Sequence, residues 1–529
     1  MSAAIVAEPA PHTPWIIAPV VAMAAFMEVL DISIANVALQ HIAGSMAASR
    51  DESTWILTSY LVTNAVVLPV SGWLSSVVGR KRFYMACIAG FGASSLLCGF
   101  APTLALLIVF RAIQGLTGGG LQPLSQAILA DSFPPRQRGM AFAFYGIAVV
   151  FAPAIGPTLG GWITDNTSWR WVFLVNVPVS VVLFFLIDIM IEDPPAHEAA
   201  RQARLKAGLR IDYLGFGLLA LGLGCLQWVL DRGQEQDWFG SKAITTASII
   251  AGLALVALIV WELTRRDPIV DLKLLRNRGF AVANLLMFTL GFVLLGSTAL
   301  LPQYVQSLLG YTATEAGLVL SPGGLGIMVL MPLVGRLVTR VDPRYMIAFG
   351  LCVTAASLVW ISNFNLAVDF NTIAWARVFQ AAGFGFLFIP ITTLAYAGVA
   401  PEKNNNASAL LNLSRNLGGS VGIAVLTTML ARRAQFHQSV LVEHITPSDP
   451  AYQAVVGPLR QMMAGHGGST PDALLKAHAM LAAMVDQQAE LLSFLDDFRL
   501  LAMIFFALVP MVFLMRRAPV GAGRLGGGH

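Results

Sequence analysis

The sequence predicts an all-α integral membrane protein in which fourteen transmembrane helices form two six-helix bundles with two more helices inserted between them. Three observations carry that expectation. The 529 residues are 56% hydrophobic and only 12% charged, against about 25% charged residues in a soluble domain. Apolar stretches long enough to span a bilayer recur along the chain. Chemically matched positions also recur at a near-constant offset between its two ends. A net charge of +4 on a chain this long gives no reason to expect a nucleic-acid partner.

The apolar stretches lie near 15–39, 54–76, 83–100, 103–128, 140–163, 171–190, 212–230, 244–262, 280–303, 313–338, 345–362, 373–396, 405–429 and 498–515. No basic region or small-residue cleavage site precedes Trp15, so the first stretch is expected to be a retained helix. Basic residues collect on one set of alternate ends: Arg80-Lys81-Arg82, Arg136 and Arg138, Arg201/Arg204/Lys206/Arg210, Arg265/Arg266/Lys273/Arg276/Arg278, Arg340 and Arg344, Lys403 and Arg516-Arg517. Both termini are therefore expected in the cytoplasm. Arg432, Arg433, Arg460 and Lys476 depart from the pattern, but long translocated segments do not obey the charge rule.

The first span carries Glu28, Asp31, Ser33 and Asn36 in otherwise apolar sequence. A charge near the bilayer centre is costly unless it faces protein or water, and residues three apart share a helix face. Glu28 and Asp31 should look into a cavity, for which Asn36, Tyr60, Asn64, Gln114, Gln122, Tyr145, Gln303, Tyr304, Arg377 and Asn412 are candidate lining groups. Arg111 in span four needs a counter-charge, and the acids of its bundle are Glu28 and Asp31. Asp31 then either takes and releases a proton or serves as a structural partner of Arg111 or Gln114. Glu28 is open between protonation, cation recognition and a structural role. Arg377 has no acid in its own span, so carbonyls or helix ends are its expected partners.

Span two ends in a glycine-bounded basic turn, Gly72 to Arg82, with Gly79 and Arg80, which either locks one side or serves only to orient the protein. Span five carries Gly156-Pro157 and Gly160-Gly161, which predict a bend and a tight interface. Gly72-Trp73-Leu74 is matched by Gly335-Arg336-Leu337 at an offset of 263. Arg111-x-x-Gln114 is matched by Arg377-x-x-Gln380, and Gly156 by Gly422, at 266. These matches divide the chain into a bundle at 1–192, an inserted pair at 193–275 and a bundle at 276–529. Halves repeated in this way suit alternating access around a central site.

Residues 430–497 join spans thirteen and fourteen. His437 to Thr470 is punctuated by Pro, Gly and Ser and is not expected to be helical, whereas Pro471 to Arg499 reads as a mixed apolar and charged helix, either docking a partner or serving as a lid. The four cysteines lie in apolar segments and the eight histidines are dispersed, so no metal site or catalytic nucleophile is expected, and no cofactor.

Four motifs together resemble the fourteen-span drug:proton antiporters of the major facilitator superfamily, the EmrB/QacA type. They are Leu30-Asp31-Ile32-Ser33-Ile34-Ala35-Asn36-Val37-Ala38-Leu39, the Gly72 to Arg82 turn, Arg111 with Gln114-Gly115, and Gly156-Pro157 with Gly160-Gly161. Phe26-Met27-Glu28-Val29 and the run Ala48 to Trp55 look most like the EmrB branch. The resemblance implies the major facilitator fold in a bacterial inner membrane and export of diverse lipophilic drugs driven by the proton gradient. It also implies a periplasmic adaptor of the EmrA type with an outer-membrane channel, proton coupling at Asp31, and Arg111 tuning it. Ser76 and Val77 stand where the loop motif usually has an Asp and a basic residue, which questions charge relay through that loop. An exporter of one physiological solute, such as a siderophore or metabolite, is the alternative within the fold. A non-transporting scaffold or embedded enzyme is the alternative outside it.

Overall fold

The computed structural model describes residues 14–193, 195–206, 212–265, 268–443, 445–446, 448–464 and 470–514. Residues 1–13, Arg210, Arg266, 465–469 and Arg516-Arg517, which entered the readings above, lie outside the described residues, as does the side chain of Arg204. Regular structure among the described residues is helical throughout. The first part holds α1 (Pro14–Ser45), α2 (Arg50–Val78), α3 (Arg80–Gly99), α4 (Leu104–Gly118), α5 (Leu121–Ser132), α6 (Pro135–Asn166), α7 (Trp171–Leu174) and α8 (Asn176–Met190). A polar helix α9 (Pro195–Lys206) and the pair α10 (Tyr213–Arg232) and α11 (Lys242–Thr264) follow. The last part holds α12 (Arg278–Ser307), α13 (Ala313–Leu337), α14 (Pro343–Ile361), α15 (Phe370–Ala397), α16 (Asn404–Glu443), α17 (Pro450–Ala464) and α18 (Thr470–Val512).

Eleven helical stretches among the described residues are long and apolar enough to cross a membrane by length and composition. The other three sequence-predicted spans coincide with α3, α16 and α18, which are helical but more polar, with Arg80-Lys81-Arg82, Arg415 among asparagines, and Asp496-Asp497. The span expected at 103–128 is two helices, interrupted at Gly119-Gly120.

The packing repeats. α1 lies on α6 as α12 lies on α16, α2 on α4 as α13 on α15, and α3 on α4 and α8 as α14 on α15 and α18. The helix starts repeat too. Ser49 and Glu52 close a capping box on α2, and Thr312 and Glu315 close one on α13, again at an offset of 263. Each box satisfies two of the orphan amides of a helix N-terminus reciprocally. Between the two parts α2 packs against α16 and α6 against α13, while α10 pairs with α11 and leans on α2 and α16.

The 430–497 connection is more regular than its sequence suggests. α16 runs on to Glu443 and α17 is helical from Pro450 to Ala464, so most of the stretch expected to be irregular is helix. Tertiary packing overrides local punctuation here, because α17 rests on α18 and α16 lies alongside α18. The helix expected after Pro471 forms as part of α18.

Candidate functional site

α1 puts Glu28 and Asp31 on one face, and both are 1% exposed. Arg111 Nη1 lies 2.5 Å from Asp31 Oδ2. The opposite oxygen, Oδ1, accepts from Asn176 Nδ2 at 2.7 Å and from Gln114 Nε2 at 3.1 Å. Gln114 Oε1 in turn accepts from Arg111 Nη1 at 2.7 Å, so guanidinium, amide and carboxylate close a ring. Arg111 Nε donates to the Ile56 carbonyl at 3.2 Å. Its plane sits 4.3 Å from the centre of the Tyr60 ring, a cation–π contact that strengthens away from water. Ser95 Oγ accepts from both Gln114 and Asn176 at 3.2 Å. Five helices therefore meet at one carboxylate, and a buried charge is tolerated only when paired and hydrogen-bonded in this manner.

Glu28 sits in a second cluster, between the two parts of the chain. Its Oε1 accepts from Asn64 Nδ2 at 2.9 Å, while Oε2 has no hydrogen-bond partner among the described residues. Gln122 and the Arg415 cation both face this carboxylate, and Arg415 donates to Gln122 Oε1. Next to them Asn412 donates to Gln126 Oε1 at 2.8 Å and accepts from Tyr145 Oη at 3.3 Å. Helix α16 of the second part thus faces α1, α2, α5 and α6 of the first through side chains that are buried and polar.

A family model described as the Major Facilitator Superfamily matches residues 21–423. The chain belongs to that superfamily. It is 37% identical over 507 residues, 96% of each chain, to the multidrug export protein EmrB of Escherichia coli strain K12. It is also 37% identical over 508 residues, again 96% of each chain, to the fatty acid resistance protein FarB of Neisseria gonorrhoeae. Among solved structures it superposes on the proton:xylose symporter XylE with a TM-score of 0.58, 14% identity, and coverage of 94% and 96% of the two chains, a likeness of fold alone. The protein is therefore a multi-pass membrane transporter and not an enzyme.

The superfamily's loop turn is held without the usual Asp at 76. Arg80 pairs instead with Asp131 at the end of α5, and Asp131 also accepts from Asn404 Nδ2 of α16 at 2.5 Å. Gly79, at φ +101°, makes the corner between α2 and α3 that a side chain would strain. At the same end Gly72 lies against Asn405 and Asn406 of α16, so the two parts are in contact there.

The Gly156-Pro157 motif of α6 explains itself locally. Pro157 has no N–H, which leaves the Pro153 carbonyl without its helical donor, and Ser33 Oγ of α1 donates to that carbonyl at 3.4 Å. Gly156 permits the approach, since a Cβ there would stand 2.2 Å from Ser33 Oγ. Gly160 packs in the same way on the backbone of Ile34.

Of the sequence-predicted lining groups, Tyr60 and Gln114 join the Asp31 cluster, and Asn64, Gln122, Tyr145 and Asn412 join the Glu28 cluster. Three stand apart. Asn36 and Gln303 are exposed, and Tyr304 donates to the Asn365 carbonyl at 3.0 Å with its ring edge-on to Phe494 of α18. Tyr304 thus anchors α18 where a cavity position was expected. Arg377 does not find the expected carbonyls; it meets Gln380, Thr298 and Ser297 side chains. Arg415, Asn176, Ser95 and Gln126 were not singled out from sequence. Arg415 had a signal, a lone cation within a predicted span; an Asn or Ser in an apolar helix gives none.

Proposed function

We propose that the protein is a proton-coupled antiporter that exports lipophilic drugs across a bacterial inner membrane, with Asp31 as the coupling carboxylate. The observation that carries this reading is the fully buried ion pair of Asp31 and Arg111, a carboxylate and a guanidinium joined directly within the first bundle. Protonating Asp31 removes the charge that holds Arg111, Gln114 and Asn176 together, which loosens α1 from α4 and α8. Because Ser33 and Gly156 tie the same helix to α6, and α6 packs on α13, that change has a route to the interface between the halves.

The substrate faces the Glu28 cluster, where Asn64, Gln122, Arg415, Tyr145 and Asn412 offer polar groups beside aromatic surface such as Phe388, 5.8 Å from the Tyr145 ring. The similarity to EmrB and FarB supports apolar, toxic substrates. Fourteen spans, with both termini cytoplasmic, form bundles at 1–192 and 276–529 around the inserted pair at 193–275. The helices at 430–497 rise outside the membrane, where exposed Leu475 and Met484 suit a periplasmic adaptor of the EmrA type leading to an outer-membrane channel. Crosslinks from Leu475 to such an adaptor support that assembly, and their absence in cells that still export drug argues against it.

The test of coupling uses proteoliposomes loaded with the purified protein. An imposed pH gradient should drive accumulation of a fluorescent lipophilic drug, and a protonophore should stop it. Accumulation that ignores the gradient would sink the proposal.

A further inference from the structure

The repeat places Ser297 where the first half has Asp31. Asp31 and Arg111 are 80 residues apart, and so are Ser297 and Arg377. Both arginines begin an Arg-x-x-Gln pair with the amide turned the same way: Arg377 Nη1 donates to Gln380 Oε1 at 2.5 Å, as Arg111 does to Gln114 at 2.7 Å. What differs is the third member. In the first half Gln114 Nε2 donates to the Asp31 carboxylate at 3.1 Å. In the second, Gln380 is 0% exposed and its Nε2 has no hydrogen-bond partner among the described residues.

Arg377 itself is 4% exposed, and its partners are neutral. Nη2 donates to Thr298 Oγ1 at 3.0 Å and Nη1 reaches Ser297 Oγ at 3.5 Å. No carboxylate among the described residues forms an ion pair with it. A guanidinium held in such surroundings with neutral acceptors alone is strongly disfavoured, and a planar fork of N–H donors is shaped to receive an anion. The unused amide N–H of Gln380 is the counterpart of the Gln114 N–H that in the first half is committed to a carboxylate oxygen. Ser297 is shorter than an aspartate and brings no charge to the position that Asp31 holds in the first half.

The geometry points to a binding site for a small monovalent anion, a halide or a carboxylate group, held by Arg377 and Gln380 beside Ser297 and Thr298. The anion replaces in the second half the charge that Asp31 supplies in the first. Thr298 is only half-buried and marks the side from which the site is reached between α12 and α15.

The test is thermal unfolding of the purified full-length protein in sodium salts of chloride, bromide, acetate and gluconate at constant ionic strength, with wild type beside Ser297→Asp and Gln380→Ala. Wild type should be stabilised over gluconate in a saturable way. Stabilisation by halides alone identifies a free halide, by acetate alone a carboxylate, and by both a site open to either. Ser297→Asp, which supplies a resident carboxylate, should be as stable in gluconate as wild type is in the bound salt and should lose the salt effect. Gln380→Ala should shift the midpoint concentration upward by about tenfold, the cost of one hydrogen bond to a charged group. Equal stability of wild type in all four salts overturns the site. So does an anion effect that persists unchanged in both variants, because the ion then acts elsewhere. The wild-type titration decides the matter even where a variant does not fold.

Discussion

Arg111 Nη1 and Asp31 Oδ2 lie 2.5 Å apart with both side chains fully buried, and the second carboxylate oxygen is taken by Gln114 and Asn176. An ion pair with this many attendant donors sits where loss of one charge is felt by several helices at once. Asn176 belongs to α8, Gln114 and Arg111 to α4, and the Ile56 carbonyl to α2.

Neutralising one partner leaves the other buried and uncompensated. Asp31→Asn should destabilise the purified protein by about 3–5 kcal/mol, and Arg111→Gln by a similar amount. The double variant should recover much of that loss and remain unable to couple transport to a pH gradient. Thermal unfolding of the three proteins measures it; additive losses in the double variant would show that the two side chains do not act as a pair.

Contact between α1 and α6 depends on the absence of a side chain at 156. A Cβ there would meet Ser33 Oγ at 2.2 Å and Ser33 Cβ at 2.4 Å, an overpacking worth about 1–3 kcal/mol. Gly156→Ala should therefore lower transport sharply, and adding Ser33→Gly should restore part of it. Gly161→Ala is the control, since its Cβ would meet only Thr314 Oγ1, at 3.8 Å. Equal transport by Gly156→Ala and Gly161→Ala would contradict the tight-interface reading.

Asp497 lies in the 430–497 connection with both oxygens lacking hydrogen-bond partners among the described residues. Burial, reinforced by the neighbouring Asp496 charge and opposed by Arg433, pushes its carboxyl up from 3.8 to about 8. A raised acid pKa means that the folded protein keeps the proton longer than the unfolded chain, so stability falls as pH rises from about 4 to about 8 and then levels. Asp497→Asn should remove that slope, leaving the melting temperature unchanged near pH 4 and raised by about 2 °C or more at pH 8. A variant with the wild-type pH profile would contradict the assignment.

Turn chemistry and charge made much of this molecule legible in advance. Asp31, Arg111 and Gln114 declared themselves because charge inside an apolar helix demands a partner, and the repeated Arg-x-x-Gln drew attention to Arg377 and Gln380. Asn176 and Ser95 complete the Asp31 cluster without any pattern of their own, since a polar residue in an apolar helix marks a contact only once its neighbours are known. Tyr304 misled for the same reason: its amphipathic ring suits a cavity and also suits the Asn365 and Phe494 contacts it makes. The break at Gly119-Gly120, which packs on α2 and α3, and the helix at 450–464, which packs on α18, depend on neighbours that sequence does not display.

The proposal separates two acids three residues apart, Asp31 with both oxygens bonded in an ion-pair cluster and Glu28 with one oxygen lacking a hydrogen-bond partner among the described residues. Substrate-induced proton release, followed with a pH dye on purified wild type, Glu28→Gln and Asp31→Asn, tests that division most directly. Wild type and Glu28→Gln should release protons on adding a lipophilic drug, with weakened drug affinity in Glu28→Gln, and Asp31→Asn should release none. Undiminished release from Asp31→Asn, with loss in Glu28→Gln, would contradict the account.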